Sequence, residues 1–175
     1  AGIDDSTTGE LVRNASIRAG DGLGTLSVKG SLIGNVAPNG TSLVIISARG
    51  QTAPVGDTDM AIGRITIGGS VERANIFAGY NTSLAPLNDD AQIGAVKVGR
   101  DWIASNLVAG TIAGLDGFFG SDDDAPIAGG DPLSGIASIA MKGHVFGSGA
   151  AGDRFGFVAH EIGAAKVAGQ TLALT

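Results

Sequence analysis

The chain has 175 residues, 30 of them glycine, which is more than twice the usual share of about 7%. With 43% hydrophobic and 16% charged residues it is not a disordered tail, and no apolar stretch reaches the ~20 residues of a membrane-spanning helix. A formal charge of −6 argues against nucleic acid or an anionic membrane surface as partner, because phosphates want a basic face.

The predicted elements follow from one phrase that returns along the chain with apolar residues at alternate positions. It reads LGTLSVKG from Leu23, IGRITIGG from Ile62, IGAVKVGR from Ile93, IASIAMKG from Ile136 and IGAAKVAG from Ile162. Period-two alternation with glycine at the ends specifies a strand rather than a helix. A second phrase, an apolar strand ending in Ala-Gly, appears at Ser16–Gly20, Asn75–Gly79 and Asn106–Gly110, with variants at Leu43–Gly50 and Phe155–Ala159. Each repeat therefore holds at least two short strands and a loop of variable length.

The repeats predict one domain over residues 1–175, with repeat starts near 23, 62, 93, 136 and 162. Similar phrases stacked in register predict an all-β right-handed parallel β-helix, a solenoid of about five coils, with a β-sandwich as the alternative. Leu26, Ile65, Val96, Ile139 and Ala165 form one expected inward column; Val28, Ile67, Val98, Met141 and Val167 form another. Ser27, Thr66, Lys97, Ala140 and Lys166 are expected to face out. Trp102 stands where Leu32 and Val71 stand in other copies, which predicts core packing. Gly30, Gly69, Gly143 and Gly169 are expected to supply positive φ at corners.

Three stretches carry a resemblance: Ile93–Gly110, Asp116–Asp124 (DGFFGSDDD) and Phe155–Gly169 (FGFVAHEIGAAKVAG). They resemble a β-strand-repeat domain of very large bacterial secreted or cell-surface proteins. The resemblance implies an extracellular, non-catalytic module, often one among many, and assigns no active-site residues. Cysteine is absent and the acids are 14 Asp against three Glu, a composition that also suits a bacterial exterior. A chain beginning at Ala1 without a signal-peptide pattern reads as a processed product or an excised segment.

Candidate chemistry is concentrated in the acids. Asp116, Asp122, Asp123, Asp124 and Asp131 lie close enough in sequence to offer oxygen ligands to calcium, although the spacing matches neither an EF-hand nor a glycine-rich nonapeptide repeat. Asp21, Asp57, Asp59, Asp89, Asp90, Asp131 and Glu161 each precede a predicted strand, so a ladder of carboxylates at one corner is a second calcium candidate. His160-Glu161 lacks the second histidine of a zinc protease helix. A polysaccharide lyase would need a basic residue beside carboxylates, and Arg100-Asp101 with Arg64 or Arg73 is the nearest imitation. No basic groove is visible in the linear sequence. The expected function is a structural or adhesive surface module, calcium-stabilised and stacking end to end with itself or with neighbouring modules. A carbohydrate surface is a further expected partner, and the alternative is a lyase-like enzyme.

Overall fold

A computed structural model describes residues 3–4, 15–37, 40–51, 59–129 and 133–174, and among them every regular element is a β-strand. The chain opens with β1 (Ile3–Asp4) and β2 (Ser16–Ala19), then makes a first pass through β3 (Leu23–Val28), β4 (Leu32–Ile33), the hairpin β5 (Asn35–Ala37) and β6 (Gly40–Ser42), and β7 (Val44–Ala48). The second pass is β8 (Asp59–Ile67), β9 (Val71–Glu72) and β10 (Ala74–Ala78). The third is β11 (Ala91–Val98), β12 (Trp102–Ile103) and β13 (Asn106–Ala109), followed by the hairpin β14 (Thr111–Ile112) and β15 (Ala125–Pro126). The fourth is β16 (Gly135–Met141), β17 (Val145–Phe146) and β18 (Phe157–Val158), and the chain continues through β19 (Glu161–Ile162), β20 (Ala165–Val167) and β21 (Gln170–Thr171).

The expectation of a single right-handed parallel β-helix of about five coils is corrected by this pairing. The strands divide among three separate, mostly parallel sheets rather than one solenoid sheet: a long sheet β21-β20-β16-β11-β8-β3, a short sheet β1-β4-β9-β12-β17 and a third sheet β18-β13-β10-β7-β2. Two antiparallel hairpins, β5–β6 and β14–β15, stand apart from them. A hairpin-paired β-sandwich does not describe the three sheets either, since their neighbours pair in parallel except at β20–β21. The division has a local cause: the backbone turns sharply after each short strand. Between short and third sheets Arg73 and Ala104 take φ of 48° and 45°, and after the third sheet Gly50, Gly79 and Gly110 take φ of 85°, 94° and 59°. Left-handed conformation costs a non-glycine residue roughly 1–2 kcal/mol, which the packing on both sides of the corner must offset. Of the four glycines expected at positive φ, Gly169 alone has it, at 83°.

Within the sheets the expected columns do align. Leu26 pairs with Ile65, Ile65 with Val96, Val96 with Ile139 and Ile139 with Ala165. These side chains, together with Ile46, Ile76 and Leu107 of the third sheet, fill one core enclosed by the three sheets. Leu32, Val71 and Trp102 form the short sheet's column, as their equivalence predicted, and Val145 continues it. Trp102 is fully buried, its ring edge-on to Phe157 at 5.3 Å and its Nε1 donating to the Ser105 carbonyl at 2.9 Å. The recurrent Ile-Gly has a steric reason: a Cβ on Gly94 would collide with the Gly63 carbonyl, and one on Gly63 with the Gly24 carbonyl.

The central strands of the third sheet, β7, β10 and β13, are buried on both faces, which alternating strands alone did not predict. The segments after Gly79 and Gly110 fold back across its outer surface. Phe77 and Val108 there pack with Tyr80, Phe119 and Ile127 from those segments, forming a second hydrophobic cluster. Phe77 stacks on Tyr80 at 4.8 Å and tilts against Phe119 at 5.5 Å. At about 1.5–3 kcal/mol per buried large apolar side chain, this cluster is enough to hold both segments down.

Candidate functional site

The acidic segment is the tip of the β14–β15 hairpin, held over the third sheet by Phe119 and Ile127. Its carboxylates are engaged by the tip's own donors. Asp116 Oδ1 accepts from the Phe118 amide at 2.8 Å, and Arg154 Nε lies 3.8 Å from Asp116 Oδ2. Asp123 Oδ1 accepts from the Ser121 hydroxyl at 2.8 Å and its Oδ2 from the Asp116 amide at 3.3 Å. Asp124 Oδ2 accepts from the Gly120 amide at 2.7 Å, while its Oδ1 is buried without a partner. The Ser121 hydrogen bond, helped by backbone amides, holds the Asp123 carboxyl below its ordinary range. Asp122 is exposed, and Asp131 lies outside the described residues. Among the described residues, no three His, Cys, Asp or Glu side chains come together as a group that could hold a metal ion.

Of the acids ahead of the strands, Asp59 and Asp90 are likewise engaged by nearby donors, whereas Asp89 Oδ2 is buried without a partner. Asp59, 2% exposed, receives the Gln51 amide at 2.5 Å and the Asn88 side-chain amide at 2.7 Å. Asp90 Oδ1 receives the Leu133 amide at 3.3 Å. Asp21 and Glu161 are exposed, and Asp57 lies outside the described residues. The lyase-like set does not assemble as a unit. Arg73 is ion-paired with Glu72, and Asp101 Oδ1 accepts from the His144 amide at 2.9 Å. Arg64 stands on β8 in register with Thr25 and Ala95 of the neighbouring strands.

A different site emerges on the outer face of the long sheet, toward the carboxyl ends of its strands. The chain has four lysines, Lys29, Lys97, Lys142 and Lys166, and all four stand there, exposed. Lys97 and Lys166 occupy the outward column between the two apolar ones, Lys97 beside Thr66 and Ala140, and Ala140 beside Lys166. Lys29 and Lys142 follow Val28 and Met141, in the next outward column along the strands. A groove of about 740 Å³ runs among three of them, floored by Gly68, Gly99, Ala140 and Ala168 and flanked by Lys97, Lys142 and Lys166. Among the described residues, no carboxylate or histidine lines it. The ion pairs among the described residues are Arg73–Glu72 and Arg154–Asp116, so these lysines carry no fixed counter-charge there.

Linear reading missed this face because the lysines are up to 137 residues apart in sequence. The signal was present all the same: each lysine sits at the fifth or seventh place of the repeated phrase, and stacking the phrases superimposes those places. A second groove, of about 430 Å³, lies beside Trp102, Phe155 and Phe157, with Asp153 and Arg154 at its margin. Set against known proteins, the chain matches no family model, no curated protein and no solved structure.

Proposed function

We propose that this chain is a non-catalytic structural or adhesive module of the bacterial exterior, serving as a stiff spacer that presents sheet faces and loops for contact. The observation that carries this reading is the composition of the long-sheet groove, which among the described residues is lined by lysines, small residues and aliphatic residues, with no carboxylate or histidine among them. Glycoside hydrolysis calls for a pair of carboxyl groups across the scissile bond, one of them an acid, and this face offers neither. Parallel ladders that repeat the same columns from β3 to β20 favour a scaffold over a moving catalytic site. The cysteine-free, Asp-rich composition and the resemblance to surface-protein repeats favour the extracellular compartment. Contact with a neighbouring module or a second copy is part of the proposal, because β17, the outermost described strand of its sheet, exposes Val145 (42%) and Phe146 (51%).

The test is prolonged incubation of the purified chain with a panel of neutral and acidic polysaccharides. The expected result is no new reducing ends and no fall in polymer length. Turnover that disappears on substituting groove residues would overturn the reading.

A further inference from the structure

We propose that the lysine groove of the long sheet is a docking track for a linear acidic polysaccharide, one bearing carboxylate or sulfate groups along its length. The proposal rests on the adhesive reading above and names its ligand class. Lys97 and Lys166 lie two strands apart in one column, roughly 10 Å at the usual strand spacing, and Lys142 stands about 7 Å further along the strand direction. An extended polymer crossing the strands therefore meets cations on both sides of a flat floor. That floor is built of Gly68, Gly99, Ala140 and Ala168, so no side chain obstructs a sugar ring, and the Thr66 hydroxyl is available beside it. Gly99 cannot be enlarged without collision, because its Cβ would strike the Gly68 carbonyl. The smoothness of the floor is thus a by-product of the way the strands stack.

The overall charge of −6 does not oppose this. Asp101, just past the carboxyl end of β11, is engaged by the His144 amide; the acids that precede the long-sheet strands sit at the other end, and from Asp90 to Lys97 is seven residues, roughly 23 Å of extended chain. That is well beyond the ~8 Å over which charges feel each other at physiological ionic strength. A second copy of this chain is the weaker occupant. Its acidic hairpin has already committed Asp116, Asp123 and Asp124 to its own donors, leaving Asp122 as the free carboxylate of the tip. Nucleic acid is disfavoured by the lack of any aromatic ring lining the groove on which bases could stack.

The experiment is affinity electrophoresis of the full chain through gels containing polygalacturonate, with neutral dextran as control, at low and physiological salt. Retardation by polygalacturonate alone, weakening with salt, is expected. K97Q/K166Q should lose roughly tenfold in affinity, the sum of two ordinary exposed charge contacts, K97R/K166R should retain it, and R154Q should bind as the parent does. The substituted side chains are exposed, so unchanged melting curves verify that the variants are folded. No retardation of the parent chain, equal retardation of the K97Q/K142Q/K166Q variant, or equal loss in R154Q would each overturn the proposal. Self-association abolished by both K97Q/K166Q and D122N, with no retardation by the polymer, would also overturn it and assign the groove to a second copy. New reducing ends would instead count against the non-catalytic reading while leaving the docking track in place, and absence of both binding and turnover would end this proposal alone.

Discussion

Neighbouring residues on one strand have opposite fates here, and β8 shows the contrast most sharply. Ile65 is fully buried between Leu26 and Val96, while Thr66 beside it faces the lysine groove. Ile65→Asp would place an unpaired carboxylate in the core, which costs several kcal/mol or is avoided only by protonation, and it should abolish cooperative unfolding. Thr66→Asp should leave the urea midpoint close to that of the parent chain. Equal damage from the two substitutions would mean that the strand does not alternate as described.

Tyr80 offers a pH-dependent test at the same scale. Its hydroxyl donates to the Thr111 carbonyl at 2.6 Å, and burial, with the Asp124 charge second, pushes the phenol above its ordinary 10.0. A raised folded-state value means that the folded chain holds a proton that the unfolded chain releases. Stability from this group is therefore complete below pH 10.0 and falls as the pH rises beyond it. Tyr80→Phe should lower stability by about 1 kcal/mol at neutral pH through the lost hydrogen bond, and should flatten the alkaline decline. Denaturant midpoints measured on either side of pH 10.0 check both signs.

At the scale of elements, the β14–β15 hairpin behaves as a fitted cover for the third sheet, with an acidic tip stitched by its own hydrogen bonds. Phe119→Ala should uncover Phe77 and Val108, costing about 3–5 kcal/mol and raising the binding of a hydrophobic dye. Because the tip's amides and Ser121 already engage Asp116, Asp123 and Asp124, a chelator should leave the melting temperature unchanged. A fall in that temperature on chelation, restored by calcium, would show a cation holding the tip. The Asp123 carboxyl is held below its ordinary 3.8, so the tip's order should persist at any pH above that value and be lost as the pH falls through the lowered one. Amide exchange at Ser121 would follow it.

For the whole molecule, charge and exposed apolar surface are segregated. Acids gather at the amino ends of the long-sheet strands and on the hairpin, lysines at the carboxyl ends with Asp101 near them, and Val145 with Phe146 on the outer strand of the short sheet. An open apolar strand edge invites pairing with another chain, and natural edges suppress it with charge. Phe146→Lys should leave the fold intact and reduce concentration-dependent association in sedimentation experiments. An unaltered association constant would place the contact elsewhere.

The sequence by itself determined the strands and their inward columns, because alternation at period two and the recurrence of Ile-Gly are local properties that survive any arrangement of the repeats. Leu26, Ile65, Val96 and Ile139 stand together as their places in the phrase require, and Trp102 stands in line with Leu32 and Val71. Only the tertiary structure decided how the strands are shared among three sheets, because that depends on corner conformations. Arg73 and Ala104 enter the left-handed region at such corners without being glycine, so composition does not reveal them. It also decided that the hairpin would cover the third sheet, since Phe119 and Ile127 find Phe77 and Val108 only through a fold-back that no periodicity encodes. The lysine groove lies between these cases. Its residues were legible as places in a repeat, but a formal charge of −6 hid them, because net charge sums over a surface whereas a binding face depends on which charges the stacking brings within a Debye length of one another.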